Sequence, residues 1–275
     1  MDRYCVMGNP VEHSKSPWIH ARFAELTGET LRYDKRLVAL DGFVQAIADL
    51  RAEGGLGCNI TVPFKFEAAR VAQIESPRAR LAQASNLLHF RADGIFADNT
   101  DGAGLVSDIQ NNAGVALAGR DVLLIGAGGA SAGVLGPLIE ARARSITVAN
   151  RTLDKARALV ERHAALAQLH GVEVEISELG AVQIPFDVVV NATASSLSGA
   201  GVPVSPKVLK PGALALDMMY GPAAAGFMDW ARAHQAVPRD GLGMLVEQAA
   251  EAFLLWRGLR PPSAQVLAEL RATLA

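Results

Sequence analysis

Two hydroxyl side chains near the start of the chain stand where they could bind an anionic ligand. In the segment "HSKSP", Ser14 and Ser16 lie two residues apart, ahead of Pro17 and a predicted helix. The free amide groups of a helix N-terminus favour an anion, so paired hydroxyls at that point can bind a carboxylate. Isolated serines in this setting more often only cap the helix, with Ser16 as the N-cap and Pro17 as the first helical residue.

A second polar segment, "CNITVPFK", runs along a predicted strand and past a proline to Lys65. Asn59 and Thr61 alternate onto one face of that strand, where they could bind substrate hydroxyls. Lys65 is of a type that can exchange a proton with a substrate. A single lysine is ordinarily a solvated surface residue, and that interpretation stays open here.

A third polar segment, "ADNTDGAG", places Asp101 just before a predicted helix. Its ordinary interpretation is a capping residue for the helix that begins near Gly102. The functional alternative is a carboxylate held at a cleft between two domains. If Asp101 met Lys65, the pair could handle the proton that accompanies a hydride, but spacing alone does not show that they meet.

The segment "VLLIGAGGASAG" predicts a dinucleotide-binding turn. Val122–Ile125 is an apolar strand, and Gly126 and Gly128 allow a tight turn and a close approach of backbone to a pyrophosphate. The helix that opens near Gly129 favours an anion at its N-terminus. Ser131 stands where a third glycine is usual. A packing turn is the alternative, but a strand before, a helix after and a second strand ending at Asn150 favour the dinucleotide site.

The end of that second strand selects between cofactors. An NAD site tends to carry Asp or Glu there to bind the ribose 2′-hydroxyl. This chain has Asn150, Arg151 and Thr152 instead, so no carboxylate repels a 2′-phosphate and Arg151 can pair with it. We therefore expect NADP rather than NAD. The plainer interpretation, Thr152 as a helix N-cap and Arg151 in solvent, is compatible with it.

Alternating strands and helices predict an α/β fold with parallel sheet layers. Because the nucleotide motif lies mid-chain, we expect two domains, 1–105 and 106–241, with helices in 242–275 completing the first. Asp41 is the expected N-cap of the helix in "DGFVQAIADLRAEG", and "NLLHFRADGIFAD" is expected to form a hairpin that turns at Asp93–Gly94.

Composition excludes several classes of protein. The 275 residues carry 26 Lys plus Arg against 28 Asp plus Glu, a net charge of -2, which gives no basic excess for nucleic acid. The uncharged run Val122–Ile139 contains glycines and Pro137, so we interpret it as strand, turn and helix rather than a membrane span. Cys5 and Cys58 form no metal-binding pattern. The start shows no signal-peptide pattern, so cytoplasm is expected.

Six segments in order, "HSKSP", "NITVPFK", "NTDGAG", "GAGGAS", "ANRT" and "GMLVEQAAEAF", resemble those of the shikimate dehydrogenases. The resemblance spans nearly the whole chain. It implies an N-terminal substrate domain with a mixed, mainly parallel sheet, a Rossmann-type NADP-binding domain and a cleft between them. It further implies reversible, NADP-linked reduction of 3-dehydroshikimate to shikimate in aromatic amino acid biosynthesis. We expect a monomer or homodimer, and the sequence shows no metal site, which this chemistry does not need.

The resemblance also assigns roles to individual positions. Lys65 and Asp101 would be the catalytic pair. The substrate carboxylate would meet the two serines, and the rest of the substrate would meet Asn59, Thr61, Lys65, Asn86, Asp101, Tyr220 and Gln248. The cofactor would meet Gly126, Ala127, Gly128, Gly129, Ala130, Asn150, Arg151, Thr152, Met218 and Gly243.

The chain departs from the family pattern at two places. It has His20-Ala21 where the family often has His-Asn, and Ser85-Asn86-Leu87 where Val-Asn-Thr is usual. Gln248, without the resemblance, would be interpreted as a surface residue of an amphipathic helix. Three alternatives stay open: a relative that accepts quinate or uses NAD, a non-catalytic NADP-binding protein of the same fold, and a cofactor domain serving another reductase.

Overall fold

The computed structural model describes residues 1–193 and 201–274. The chain forms two compact units, one made of Met1–Gly104 with the segment from Leu245 onward, the other of Leu105–Met244. Each unit has its own six-stranded sheet. The binding roles given to the two domains in the sequence analysis stay predictions.

The sheet of the first unit mixes parallel and antiparallel strands. Its order is β2-β1-β3-β5-β6-β4. The β1–β2, β1–β3 and β4–β6 pairs are parallel, whereas β3–β5 and β5–β6 are antiparallel. The strands are β1 Asp2–Gly8, β2 Leu31–Leu37, β3 Gly55–Ile60, β4 Ile74–Glu75, β5 Leu87–Arg91 and β6 Gly94–Asp98.

The sheet of the second unit is entirely parallel and has the order β12-β11-β10-β7-β8-β9. Counted from β7, this is the doubly wound order 3-2-1-4-5-6, in which the strand order reverses between β7 and β10. The strands are β7 Asp121–Ile125, β8 Ser145–Ala149, β9 Glu173–Ser177, β10 Phe186–Asn191, β11 Leu209–Asp217 and β12 Val237–Arg239. The predicted fold class, a mixed-sheet domain plus a Rossmann-type domain, is confirmed.

Helices connect and cover these strands. They are α1 Ser16–Thr27, α2 Phe43–Ala52, α3 Lys65–Val71, α4 Pro77–Ala82, α5 Asp101–Ser107, α6 Gly129–Glu140, α7 Leu153–His170, α8 Ala225–Ala233, α9 Leu242–Arg257 and α10 Ser263–Leu274. A π-helical turn, Asp108–Asn112, extends α5, and short 3₁₀ helices occupy Leu179–Ala181, Pro206–Val208 and Gly221–Ala224. Within the described residues, no helix is long and apolar enough to cross a membrane.

Three local predictions are wrong by one residue. The N-cap of α2 is Gly42 rather than Asp41, because the Gly42 N–H closes a turn onto the Ala39 carbonyl at 2.9 Å before the helix starts. Lys15, not Ser16, is the N-cap of α1. In the hairpin, Arg91 pairs with Gly94, so the two turn residues are 92 and 93 rather than Asp93–Gly94.

An aromatic cluster packs α1 and α9 against the first sheet. His20 of α1 stacks on Tyr33 of β2 with ring centroids 4.2 Å apart and planes 5° apart. Trp256 of α9 stacks on Tyr4 of β1 at 4.5 Å. His20 has no solvent exposure, and burial lowers its pKa to about 3, although the neighbouring Asn59 opposes that shift. The imidazole is therefore uncharged at neutral pH.

This buried imidazole should make the folded state sensitive to acid. Between about pH 6.5 and 3 the unfolded chain binds a proton at His20 that the folded chain does not, so stability falls as pH falls. The variant His20→Phe keeps an aromatic ring on Tyr33 but has no titrating group at this position. When the pH is lowered from 7 to 5, we expect its free energy of unfolding to fall by about 2 kcal/mol less than that of wild type. Urea titrations at both pH values measure this difference.

The control for that measurement is His13→Gln, which removes an exposed histidine. It should show the pH dependence of wild type. Equal pH dependence in wild type and His20→Phe would contradict a histidine that is uncharged in the folded state.

Candidate active site

Lys65 and Asp101 form an ion pair in the first unit. Lys65 begins α3, directly after Phe64, which is fully buried and stacks on Phe43 at 5.1 Å. Asp101 begins α5, just after the end of β6. The Lys65 Nζ donates to Asp101 Oδ2 at 2.5 Å, and the two side chains are 16% and 7% exposed. The structure thus places the two residues together. The alternative interpretation of Lys65 as a solvated surface lysine is wrong.

Asn86 joins this pair to the surrounding amides. Its Nδ2 donates to Asp101 Oδ1 at 2.8 Å and to Gln248 Oε1 at 3.2 Å. Its Oδ1 accepts the backbone N–H of Thr100 at 2.8 Å. Gln248 is 8% exposed and donates to the Leu245 carbonyl at 2.7 Å, so its interpretation as a surface residue is wrong.

Asn59 extends the network toward β1 and β2. It is 5% exposed, and its Nδ2 donates to the Asn86 carbonyl at 3.1 Å. Its Oδ1 accepts the Tyr33 hydroxyl at 2.7 Å. Thr61 lies just past the end of β3 and is half-buried; its backbone N–H still donates to Met7 at 2.9 Å.

The two serines are hydrogen-bonded to each other. The Ser14 hydroxyl donates to Ser16 Oγ at 3.2 Å and accepts the Ser16 N–H at 3.3 Å. Ser16 is 5% exposed, and Ser14 is half-buried. Two hydroxyls therefore lie side by side where α1 begins, Ser14 just before the helix and Ser16 as its first residue, the arrangement that carboxylate binding would need.

A set of ionic contacts fixes the ends of the elements that carry these residues. The Arg78 guanidinium donates twice to Asp98 at 2.7 Å and also to Glu251 of α9 at 3.2 Å. Asp98 in turn accepts the Asn99 N–H at 2.7 Å, and Asn99 Oδ1 accepts the Asp101 N–H at 3.2 Å. Arg78 thereby links the strand end before Asp101 to the helix that carries Gln248.

Several residues of this arrangement were not singled out as site residues from the sequence. Thr100 stood inside a quoted motif, and its neighbours Asn86 and Asp101 were named, so its position was a usable signal. Tyr33 was visible only as part of an alternating strand. Asp98 also stood inside that motif, whereas Arg78 lies outside every quoted motif, because an ionic anchor of this kind has no characteristic spacing.

In the second unit, the glycine turn follows β7 directly. Gly126 has φ +110°, and a Cβ there would lie 3.1 Å from Thr193 Cγ2 and 3.3 Å from Ser131 Oγ. Gly128 is the N-cap of α6 in an extended conformation, and a Cβ on it would meet no atom within 4 Å. Glycine at 126 is therefore required by the fold, whereas the space beside Gly128 is open to a ligand.

The start of α6 completes the turn. Ala127 and Gly128 precede the helix, and Gly129 and Ala130 are its first two residues. These positions are exposed or half-buried, whereas Ser131 is fully buried beside Gly126. The free N–H groups of the first helical turn are thus accessible at the carboxyl end of β7.

Asn150, Arg151 and Thr152 join β8 to α7. The Asn150 Nδ2 donates to the Thr152 carbonyl at 2.8 Å, so this amide orders its own loop. Thr152 is the N-cap of α7, as the plainer interpretation expected. Arg151 is exposed and pairs with no carboxylate within 1–193 and 201–274. Its guanidinium is available to an anionic ligand.

Met218, Tyr220 and Gly243 also lie in the second unit. Met218 follows β11, and its N–H donates to the Asn191 carbonyl at 3.0 Å. Tyr220 is half-buried and precedes a 3₁₀ turn. A Cβ on Gly243 would overlap the carboxylate of Asp108, which accepts Arg239 Nε at 2.7 Å, so packing inside this unit already requires glycine there.

These features define a class of protein. The strand order reverses beside a glycine turn and a helix N-terminus, which is the arrangement of a dinucleotide-binding Rossmann unit. The other unit holds a lysine–carboxylate pair within a network of amides. Together they are the parts of a nicotinamide-dependent dehydrogenase.

Three family models match most of the chain. They are described as "Shikimate dehydrogenase substrate binding domain" over residues 6–88, "Shikimate / quinate 5-dehydrogenase" over 108–199 and "Shikimate 5'-dehydrogenase C-terminal domain" over 241–271. The chain belongs to the shikimate dehydrogenase family. The resemblance drawn from six short segments is confirmed.

Individual relatives agree with this assignment. A protein of Paracidovorax citrulli named shikimate dehydrogenase (NADP(+)) is 68% identical over 274 residues, covering 99% of this chain and 98% of the relative. One of Verminephrobacter eiseniae with the same name is 65% identical, covering 100% of this chain and 96% of the relative. A Thermus thermophilus shikimate 5-dehydrogenase solved with NADP(H) and shikimate is 30% identical, with a TM-score of 0.85 over 100% of both chains. The first two names agree with the predicted enzyme class and NADP cofactor.

Proposed function

We propose that this chain catalyses the NADP-linked, reversible reduction of 3-dehydroshikimate to shikimate. The observation that carries the proposal is the Lys65–Asp101 ion pair, 2.5 Å long and bound by Asn86. A charged lysine held at a fixed position can deliver a proton to a carbonyl oxygen as hydride arrives at the carbon. Membership of the shikimate dehydrogenase family supports the choice of substrate.

The substrate is positioned by the polar side chains of the first unit. Its carboxylate would accept hydrogen bonds from Ser14 and Ser16, whose hydroxyls are 3.2 Å apart. Its ring hydroxyls would meet Asn59, Thr61, Asn86, Asp101 and Gln248. Several fixed donors and acceptors of this kind hold a small polar ring in one orientation.

Proton transfer is assigned to Lys65. Its Nζ would give a proton to the C3 oxygen in reduction and take one from the C3 hydroxyl in oxidation. Asp101 would hold the ammonium group in place and stabilise its charge, while Asn86 occupies the other carboxylate oxygen at 2.8 Å. When bound, NADPH supplies the hydride that the C3 carbon receives.

The residues of the second unit fit a bound NADP. Its pyrophosphate would lie at the start of α6, against the backbone of Gly126 to Ala130, where a Cβ at Gly128 would meet open space. Its 2′-phosphate would pair with Arg151, helped by Asn150 and Thr152. Met218 and Gly243 would lie near the nicotinamide.

A second candidate is a dehydrogenase that also accepts quinate or uses NAD. The family model over 108–199 names quinate beside shikimate, which favours keeping this candidate. A non-catalytic NADP-binding protein would have no use for the paired Lys65 and Asp101. The expected cytoplasmic location and monomeric or homodimeric state stay predictions.

Initial rates in a two-by-two design test the proposal. Purified protein is given shikimate or quinate with NADP+ or NAD+, and the reduced nicotinamide is followed by absorbance. High activity only with shikimate and NADP+ supports the proposed function. Comparable rates with quinate or NAD+ favour the broader enzyme. No rate in any combination, from folded protein that binds NADP+, favours the non-catalytic protein.

Replacing Lys65 should separate catalysis from cofactor binding. We expect Lys65→Ala to lower kcat for shikimate oxidation by about 10²- to 10⁴-fold, because the proton acceptor is gone. NADP+ affinity, measured by fluorescence titration, should stay within about twofold of wild type, since it is held by the other unit. Arg70→Ala removes an exposed cation from the same helix and serves as the control. A parallel loss of NADP+ binding and turnover would indicate a folding defect instead.

Replacing Arg151 should change the choice of cofactor. We expect Arg151→Ala to raise the KM for NADP+ by about 10- to 100-fold and leave the KM for NAD+ within about twofold, because only NADP+ carries the 2′-phosphate. Arg157→Ala removes an exposed arginine from α7 and is the matched control. If the NADP+ to NAD+ preference of Arg151→Ala equalled that of wild type, Arg151 would not read the 2′-phosphate.

A further inference from the structure

Tyr33 is hydrogen-bonded to the polar network of Lys65, Asp101, Asn86 and Asn59. It lies on β2, which contributes no other residue to this network. In the sheet, Tyr33 of β2 is paired with Tyr4 of β1, which is paired with Gly57 of β3. Asn59 lies two residues beyond Gly57 and so projects to the same face of the sheet. The Tyr33 ring therefore spans β1, and its hydroxyl donates to Asn59 Oδ1 at 2.7 Å.

Two aromatic side chains pack against the Tyr33 ring. His20 stacks on it in a nearly parallel orientation, at 4.2 Å, and Trp256 packs at a tilted 6.3 Å. Burial raises the pKa of Tyr33 well above its ordinary value, and the Ser16 side chain beside its hydroxyl opposes this only in part. The phenol therefore stays a hydrogen-bond donor at neutral pH.

Two hydrogen bonds then define the orientation of the Asn59 amide. Its oxygen is occupied by the Tyr33 hydroxyl, and one of its two N–H groups donates to the Asn86 carbonyl at 3.1 Å. A flipped amide would set its oxygen against the Asn86 carbonyl, two acceptors facing each other. Within residues 1–193 and 201–274 the second N–H has no protein acceptor, so it is left for a ligand hydroxyl.

We infer that Tyr33 is a positioning residue for substrate binding. It acts through Asn59 by holding the amide with its second N–H directed to a ring hydroxyl of the substrate. This inference rests on the proposed function.

The primary test compares Tyr33→Phe with Tyr4→Phe. Tyr4 is also a buried tyrosine of the same sheet, stacked on Trp256, with its hydroxyl beside Arg257 instead of a site residue. We expect Tyr33→Phe to raise the KM for shikimate about tenfold, with kcat within about threefold and the KM for NADP+ unchanged. Tyr4→Phe should leave all three values near wild type. Equal effects of the two variants would overturn the inference.

A double-mutant cycle with Asn59→Ala tests whether Tyr33 acts through Asn59. If it does, adding Tyr33→Phe to Asn59→Ala should raise the KM for shikimate less than about twofold further. A further tenfold rise would show that Tyr33 acts independently of Asn59 and would overturn the inference. Thermal midpoints of all variants identify any that are merely unfolded.

A substrate-free measurement separates this inference from the proposed function. The side-chain NH₂ signals of Asn59 are identified in an ¹⁵N NMR spectrum by their loss in Asn59→Ala. We expect Tyr33→Phe to shift these signals and speed their solvent exchange, with no change in Tyr4→Phe. Unchanged signals in Tyr33→Phe would overturn the inference, whereas absence of shikimate turnover in wild type would overturn the proposed function alone.

Discussion

The ion pair between Lys65 and Asp101 is the contact around which the polar network of the first unit is built. Both groups are largely removed from water, and a partly buried charge is costly unless it is paired and hydrogen-bonded. Asn86 satisfies the second oxygen of Asp101, and Thr100 and Gln248 satisfy Asn86. The satisfied network holds the lysine at a defined position in a medium of lower polarity than water, where its charge acts strongly on a neighbouring group.

The elements that bring these groups together come from distant parts of the sequence. The helix with Lys65 follows β3, the helix with Asp101 follows β6, and Gln248 lies on α9 near the end of the chain. Arg78 ties two of these elements together through Asp98 and Glu251. Because three elements must be aligned at once, the network depends on the mixed sheet and on the aromatic packing of α1 and α9.

Periodic and glycine-rich features were the most predictable part of the molecule. The apolar run Val122–Ile125 and its glycine turn predicted a Rossmann unit, because a buried parallel strand and a pyrophosphate turn have strong local signatures. Two strands were missed, Ile74–Glu75 and Val237–Arg239, since two or three residues are too few to show alternation. The helix start at Asp41 was misplaced because a turn at Gly42 competed with the capping side chain.

The site was predictable only in part, because its hydrogen bonds join residues that are far apart in the sequence. Residue types and resemblance named Lys65 and Asp101, but no spacing could show a bond between residues 36 positions apart. Tyr33 gave no chemical signal, because its role depends on a hydrogen bond across a strand to Asn59. Arg78 was likewise invisible, since an ionic anchor is defined by its tertiary partners rather than by its neighbours in sequence.

Gly126 and Gly128, in the turn after β7, differ in why a side chain would be selected against at each position. At Gly126, a side chain would strain a left-handed backbone and press on Thr193 and Ser131, so selection for folding alone preserves it. At Gly128, a side chain would meet no protein atom within 4 Å, so packing of the protein alone does not require glycine there. If the pyrophosphate lies there as proposed, a single substitution at Gly128 would give a protein that keeps its packing and no longer binds the nucleotide.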